Sequence, residues 1–540
     1  MSRTLSSQFL SKQPMKLIKK QLDLTYADAE DEFNEIMSCV NPTVKKKLLA
    51  EFAGKCDSAT VHLKAAALPR QETRVILPLT DIKDNEIYAP YLNNGEKVAL
   101  IRYPHGGTFE IPELTVNNKN PSAKSILGNV KDAVGINAKV AEILSGADFD
   151  GDTVTVIPLS DKVRVKSTRP LDDLKNFDAK TKYSTEGKEG VRLMKKSEVQ
   201  KEMGTISNLI TDMTLRGASE SEITRAVKHS MVVIDACKHK LDYKQSEKDN
   251  GIAELRMKYQ PKYDDDGNVI GGGGASTLIS KKKQDVRVPE RQGSGIIDKE
   301  TGKVTYKESG RTYVDGDGKV VPAMTKVKLM STIDDARTLS SGTDQENEYA
   351  DYANKMKALA NRARKEYVKP EKIEYSSSAK ATYQNEVTQL EAKLHVAETN
   401  VPRERKAQAI ANSVIKAKIQ ANPELSDKSN KKELSKIKQA AVYDARASVG
   451  ASGKDSKITI TDKEWEAIQA GAISSTKLTR ILRFTDPDAI KERAMPRTTN
   501  ELSASKVNRI ATMNQSGYTI AEIAAALGVS TSTINKYLND

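Results

Sequence analysis

The sequence predicts an α+β multidomain chain in which one β-rich unit sits among helical regions and a small helical module closes the C-terminus. Three observations carry this. Strand formers concentrate between residues 71 and 165, residues on both sides have helical texture rich in Ala, Glu, Lys and Gln, and the last 38 residues repeat a helix–Gly–helix pattern. At about 150 residues per domain, 540 residues allow three or four domains. Apolar residues make up 38% and charged residues 29%, so the chain reads as globular with polar stretches. No apolar run is long enough to span a bilayer, and no membrane partner is expected.

Seven segments follow. Residues 1–70 read as helical: Ala27 to Met37 mixes acids with apolar residues, and Thr43 to Phe52 carries a helical stripe. The first 22 residues are basic and acid-free but lack the apolar core of a secretory signal; a mitochondrial presequence is the minor alternative there. Residues 71–165 form the β-rich unit. Arg74 to Leu79 and Lys97 to Tyr103 are strand-like, Asn94-Gly95 is a turn before the second run, and Thr153 to Ile157 alternates hydroxyl and aliphatic side chains until Pro158. Residues 166–260 are helical. Within them Lys201 to Arg216 and Asp235 to Gly251, with Lys238, Lys240 and Lys244, read as solvated basic helices. Residues 261–330 hold Gly271 to Gly274, the triplet Lys281-Lys282-Lys283 and Asp315-Gly316-Asp317-Gly318, a texture of loops and hairpins. The Asp315 segment has two carboxylates with polar flanks and is expected to be a hairpin turn; the lysine triplet is expected to be a solvated loop or a phosphate contact. Residues 331–483 are helical and basic, with ten Lys or Arg against four acids between Arg403 and Lys438. Residues 484–502 look like a linker, and 503–540 form the terminal module.

The net charge of +13 favours a polyanionic partner. Three cysteines at unrelated spacings (Cys39, Cys56, Cys237) exclude a disulfide framework and a Cys-rich zinc site, and five histidines without His-x-x-x-His spacing argue against zinc hydrolase chemistry. A reduced, cytoplasmic setting is expected.

The densest chemistry lies in Ala147-Asp148-Phe149-Asp150-Gly151-Asp152. Three carboxylates alternate along the chain, and no Lys or Arg falls between Lys139 and Lys162 to neutralise them. Such a cluster is either exposed to water or filled by a cation. Hard oxygen ligands in this space suit Mg²⁺, and Gly151 permits the sharp turn that gathers them. The spacing alone leaves an acidic surface turn open. An EF-hand is excluded, because the twelfth position from Asp148 is Leu159 instead of Glu.

Ala-Asp-Phe-Asp-Gly-Asp, with apolar residues before it and a strand after it, resembles the signature of the two-barrel RNA polymerases. That family comprises the beta-prime subunits of cellular RNA polymerase, the RNA-silencing polymerases and compact phage-encoded relatives. The resemblance implies a double-psi β-barrel-like unit at 71–165, embedded in helical domains. It implies that Asp148, Asp150 and Asp152 are the catalytic residues and hold Mg²⁺ for nucleotidyl transfer from an NTP to an RNA 3′-hydroxyl. Arg102-Tyr103-Pro104 matches the family's Arg-x-Pro, so Arg102 would bind the nucleotide sugar. Gly146 stands where beta-prime subunits usually have Asn, and Ser145-Gly146 is closer to the silencing polymerases. The family's second barrel, which brings two lysines, has no counterpart in the helical first 70 residues. The resemblance therefore implies a partner polypeptide carrying it, as in a split, phage-type DNA-dependent RNA polymerase acting in the host cytoplasm. The alternatives are an RNA-dependent RNA polymerase-like protein, or a non-catalytic DNA-binding or virion-associated protein that keeps the barrel.

The terminal module has Val507, Ile510 and Met513 at helical spacing, then Gly517, then Thr519 with Glu522 as a capping box, then Gly528 and a last helix capped by Ser530. It resembles the helix-turn-helix of resolvases and phage regulators. The resemblance implies DNA-binding through Thr531, Ser532, Thr533, Asn535 and Lys536 on the last helix. The module's own charge is small (Lys506, Arg509 and Lys536 against Glu522 and Asp540), so weak DNA affinity alone, or a protein-contact role, is expected.

Overall fold

The computed structural model describes residues 10–11, 13–63, 68–103, 105–144, 147, 149–174, 177–281, 285–369, 374–426, 430–494, 502 and 504–539. Two helices, α1 (Met15–Met37) and α2 (Pro42–Val61), open the chain. Asn41 starts the second by accepting the Thr43 and Val44 amides, with Pro42 at the first helical position.

Six strands then close into a barrel: β1 (Glu72–Pro78), β2 (Glu86–Tyr88), β3 (Lys97–Ile101), β4 (Glu113–Val116), β5 (Ala133–Ile136) and β6 (Thr153–Pro158). Their order around it is β1-β5-β2-β4-β3-β6. Two pairs run parallel, β1 with β5 and β2 with β4, and the other four are antiparallel. Ile76, Ile87, Val98, Leu100, Leu114, Val134, Ile136, Val154 and Val156 fill the interior. Gly135 is required by packing: a Cβ there would lie 2.2 Å from the Leu79 Cδ1 atom. A short helix, α3 (Ala138–Ile143), capped by Asn137, leads from β5 toward the acidic segment.

After a short helix at Ala179–Tyr183 come four longer ones: α4 (Lys196–Leu215), α5 (Glu220–His239), α6 (Tyr243–Asp249) and α7 (Ile252–Tyr259). Their core of Leu209, Met213, Ala226, Val227 and Leu255 includes Phe109 from the barrel, which joins the two units. The expectation of solvated basic helices is corrected here. Ile206, Leu209, Ile210, Thr211, Asp212 and Met213 of α4 are buried, and α5 buries Val232, Val233 and Ala236. In α5 the lysines Lys228 and Lys238 alternate with the apolar residues in sequence, and Lys238, Lys240 and Lys244 are exposed, away from the core.

Residues 261–328 form hairpins: β7 (Pro261–Tyr263) with β8 (Val269–Gly272), then β9 (Asp285–Pro289), β10 (Arg291–Ile297), β11 (Val304–Glu308), β12 (Thr312–Val314), β13 (Val320–Pro322) and β14 (Met324–Lys328). β9 pairs β14 as a base from which the β10–β11 and β12–β13 hairpins extend. Asp315 closes the latter turn by accepting the Asp317 and Lys319 amides. Lys282 and Lys283 lie outside the described residues.

The longer helices that follow are α8 (Asp344–Val368), α9 (Gln384–Ala421), α10 (Lys431–Val449), α11 (Asp462–Gln469), α12 (Ser475–Leu482), α13 (Pro487–Ala494), α14 (Ala504–Gln515), α15 (Ile520–Leu527) and α16 (Thr531–Asn539). The first and fifth sequence segments are not separate bodies. Phe33, Leu49 and Phe52 share one core with Tyr349, Met356, Leu390, Ile468 and Ile481, and the Tyr349 hydroxyl donates to the Thr60 carbonyl at 2.7 Å. The linker expected at 484–502 is also corrected in its first half. α13 buries Ile490 and Ala494 in that core, because the polar Asp486-Pro487-Asp488 that reads as a linker is a helix start. Among the described residues no helix is long and apolar enough to cross a membrane.

Candidate functional site

The acidic segment lies where α3 returns to β6. Leu144 is fully buried, and the Ala147 amide donates to the Ala141 carbonyl at 3.2 Å, so the approach is fixed. Phe149 has φ 61 and packs its half-buried ring against the barrel interior. That is an uncommon backbone state for an aromatic residue, held by the ring's anchorage. Gly151 has φ 107, a conformation that only glycine adopts without strain. With Phe149 turned inward, Asp150 is exposed. The Asp152 carbonyl accepts the Ile76 amide at 3.1 Å, which ties the segment's end to β1. Asp148 lies outside the described residues.

Arg102, directly after β3, reaches this segment. Its Nε and Nη2 donate to the Asp152 Oδ1 atom at 2.9 and 2.7 Å, with the two side chains 26% and 11% exposed. β3 and β6 are neighbours, and pairing of Ile101 with Thr155 brings the two residues together. The two residues that sequence matching singled out from distant positions therefore share one edge of the barrel. Arg102 is engaged with a carboxylate and also offsets the repulsion between neighbouring acids. Among the described residues no group of three His, Cys, Asp or Glu side chains stands ready for a metal. Asp150 and Asp152 offer hard oxygen donors of the kind Mg²⁺ takes.

The loop after Arg102 adds two groups that the sequence reading did not single out. His105 and Glu110 are both buried; His105 Nδ1 lies 3.0 Å from the Gly107 carbonyl, and Glu110 accepts the Gly106 amide. No spacing rule marks such a loop in advance, because its order comes from local backbone bonds.

The terminal module folds as three helices around Ile510, Met513, Ile523, Ala524 and Ile534. Thr519 and Glu522 cap α15 reciprocally, Gly528 ends it in the left-handed conformation, and Ser530 accepts the Thr533 amide at the start of α16. Thr531, Ser532, Asn535 and Lys536 are exposed on α16, Thr533 is half-buried, and Ile534 faces the core.

The module is also docked on the rest of the chain, an arrangement with no local signature. Lys506 reaches the Glu35 carboxylate at 2.7 Å, where Lys491 of α13 in the body also binds it at 2.9 Å, Arg509 pairs with Asp28, and Lys20 bonds Ser516. The Arg70 amide donates to Glu522 at 2.5 Å on the barrel side. Burial pushes the Glu35 carboxyl up, but the two ammonium groups together hold it below the ordinary carboxylate range. The first helix of the module thus faces α1, and α16 keeps its polar face in solvent.

A family model for the helix-turn-helix domain of resolvase matches residues 496–540. The C-terminus carries a DNA-binding helix-turn-helix of that type. No curated protein matches the chain.

Proposed function

We propose that this chain is the catalytic-barrel part of a split, phage-type DNA-dependent RNA polymerase, transferring nucleotides from NTPs to an RNA 3′-hydroxyl. The observation that carries the reading is the meeting of Arg102 with Asp152 at one edge of a closed barrel, beside Asp150 and behind an inward-turned Phe149. The barrel's two parallel pairs among antiparallel ones support a double-psi arrangement. Asp148, Asp150 and Asp152 would hold Mg²⁺, which when bound polarises a phosphoryl oxygen and activates the attacking hydroxyl.

The chain's own residues do the positioning. Phe149 and Gly151 fix the direction of the carboxylates, and the β1 bond to Asp152 limits their movement. Arg102 orients Asp152, and its fixed fork of donors can pass to a nucleotide's sugar hydroxyl. Among the described residues there is one closed barrel, so a second polypeptide would bring the other half of the site.

The helix-turn-helix favours a second reading, a DNA-binding or virion-associated protein that retains the barrel without its chemistry. Asp150→Ala separates the two. Labelled-NTP incorporation is measured with the full chain and each candidate partner polypeptide added. A loss of at least about a hundredfold is expected, as for removal of a group that stabilises transition-state charge. Unchanged incorporation would remove the catalytic reading, and no incorporation by the unsubstituted chain with any partner would favour the second.

A further inference from the structure

The most basic part of the chain is a helical hairpin that stands clear of the core. α9 passes Pro402, and beyond it the buried Ala407 and Ala411 pack on Ala441 and Ala445 of α10. Pro402 removes one helical hydrogen bond at the exit point. The base is clamped by Asn400, whose amide nitrogen donates to the Ser452 carbonyl at 2.6 Å and whose oxygen accepts the Ser452 amide at 2.9 Å. Gly450, left-handed at φ 63, ends α10 beside it.

The two helices meet through Ala407, Ala411, Ala441 and Ala445, with an Arg446–Glu404 pair across them. Alanine seams let helices approach closely, so the arm is slim, and it runs about 30 Å at 1.5 Å per residue. Its stability leans on strong helix formers more than on buried area.

Arg405, Lys406, Lys416, Lys418, Lys436 and Lys438 are all exposed on this arm. None has an acidic partner among the described residues. By comparison Arg337, Lys393, Arg480 and Arg493, on the helical body, are each paired with a carboxylate. These six cations outnumber the exposed acids on the same arm, Glu424, Glu433 and Asp444, so they repel one another along a thin rod.

We propose that this helical arm binds the phosphate backbone of duplex nucleic acid without reading sequence. Its length is close to one turn of a DNA duplex, about 34 Å, so the cations can follow the phosphates along one groove edge. The arm carries one strongly exposed aromatic, Tyr443, which is too few for a base-stacking platform on single strands. An anionic membrane is disfavoured because the arm has no continuous apolar face: beyond Tyr443, only Val414 is a large exposed apolar residue on it. The assignment is independent of the barrel's chemistry. It gives the chain a second nucleic-acid contact, since the helix-turn-helix sits on α1 and the arm leaves the body at Asn400.

The test uses the full chain carrying Lys416→Gln, Lys418→Gln, Lys436→Gln and Lys438→Gln together. The four positions are exposed and helical, so the fold is retained and the circular dichroism is unchanged. Binding to a labelled mixed-sequence DNA duplex is followed by anisotropy between about 0.05 and 0.2 M salt. Removing one lysine from a phosphate lowers the slope of log K against log salt by about 0.9. A slope shallower by about 2 to 4 is therefore expected, equally for unrelated sequences. The matching Lys→Arg variant should keep the original slope. An unchanged slope overturns the proposal. So does loss of binding to phosphatidylserine-containing vesicles with duplex binding intact, which would make the arm a membrane contact.

Discussion

Breaking the Arg102–Asp152 pair should uncover how the acidic segment is held. Two charge-assisted hydrogen bonds converge on one Asp152 oxygen in a setting where the carboxylate side chain is 11% exposed. Hydrogen bonds to charged groups contribute about 1.5–3 kcal/mol net, and partial exposure of the arginine argues for the lower half of that range. Arg102→Gln removes the charge and keeps one amide donor. Asp152→Asn removes the acceptor charge and leaves the backbone bond to Ile76 in place. The double-mutant cycle should therefore give a coupling energy of about 1.5–2 kcal/mol. The only tryptophan, Trp465, lies in the helical body and does not report on the barrel. Native-state hydrogen exchange on β1 and β6 peptides measures the local opening free energy instead. Effects that add to within about 0.5 kcal/mol would mean that the two residues do not share an interaction, and the reading of the barrel edge would lose its geometric basis.

Two further outcomes follow from the same structure. His229 is buried against Ser246, its Nδ1 3.0 Å from the serine Oγ, and burial pushes its pKa down to about 4, with Glu247 opposing and Lys244 adding to the effect. The unfolded chain then binds the extra proton below about pH 6.5, so stability is lost as pH falls from there toward 4, by roughly 3 kcal/mol in all. Urea unfolding of the full chain should show this acid loss, and His229→Gln should flatten that part of the profile; an identical profile in the variant would refute the assignment. Glu35→Gln should loosen the docked helix-turn-helix. Of the two partly exposed ion pairs of Glu35 only that with Lys506 reaches the module, and it contributes about 0.5 kcal/mol, so exchange in α14 should rise about twofold while the module's own core stays protected. No change would mean that the dock rests on Arg509–Asp28, Lys20–Ser516 and the Arg70 amide to Glu522.

Three of the six barrel strands, β1, β3 and β6, were legible in the sequence as runs rich in β-branched and aliphatic residues, whereas β2, β4 and β5 are only three or four residues long and do not stand out as such runs. The acidic segment was legible because a dense motif does not depend on distant contacts. The same holds for the terminal module, whose capping box and glycine turn are local. What the sequence hid is non-local. Tyr349 bonds Thr60 across most of the chain, so the N-terminal helices and the 331–494 helices could not be seen as one core. Asp486-Pro487-Asp488 has linker chemistry and also helix-start chemistry, and only the burial of Ile490 decides between them. The polar Thr211 and Asp212 within the α4 stripe masked an apolar face whose partner, Phe109, comes from a distant part of the chain. The partner of Arg102 was likewise hidden, because the register of β3 with β6 sets it.

The central claim is that the acidic segment grips a divalent ion, and Mn²⁺ titration followed by electron paramagnetic resonance tests it most directly. The unsubstituted full chain should take up one Mn²⁺ that Mg²⁺ displaces, and Asp148→Asn, Asp150→Asn and Asp152→Asn should each abolish that uptake while the helical circular dichroism stays the same. Equal Mn²⁺ uptake by the unsubstituted chain and by all three variants would contradict the account.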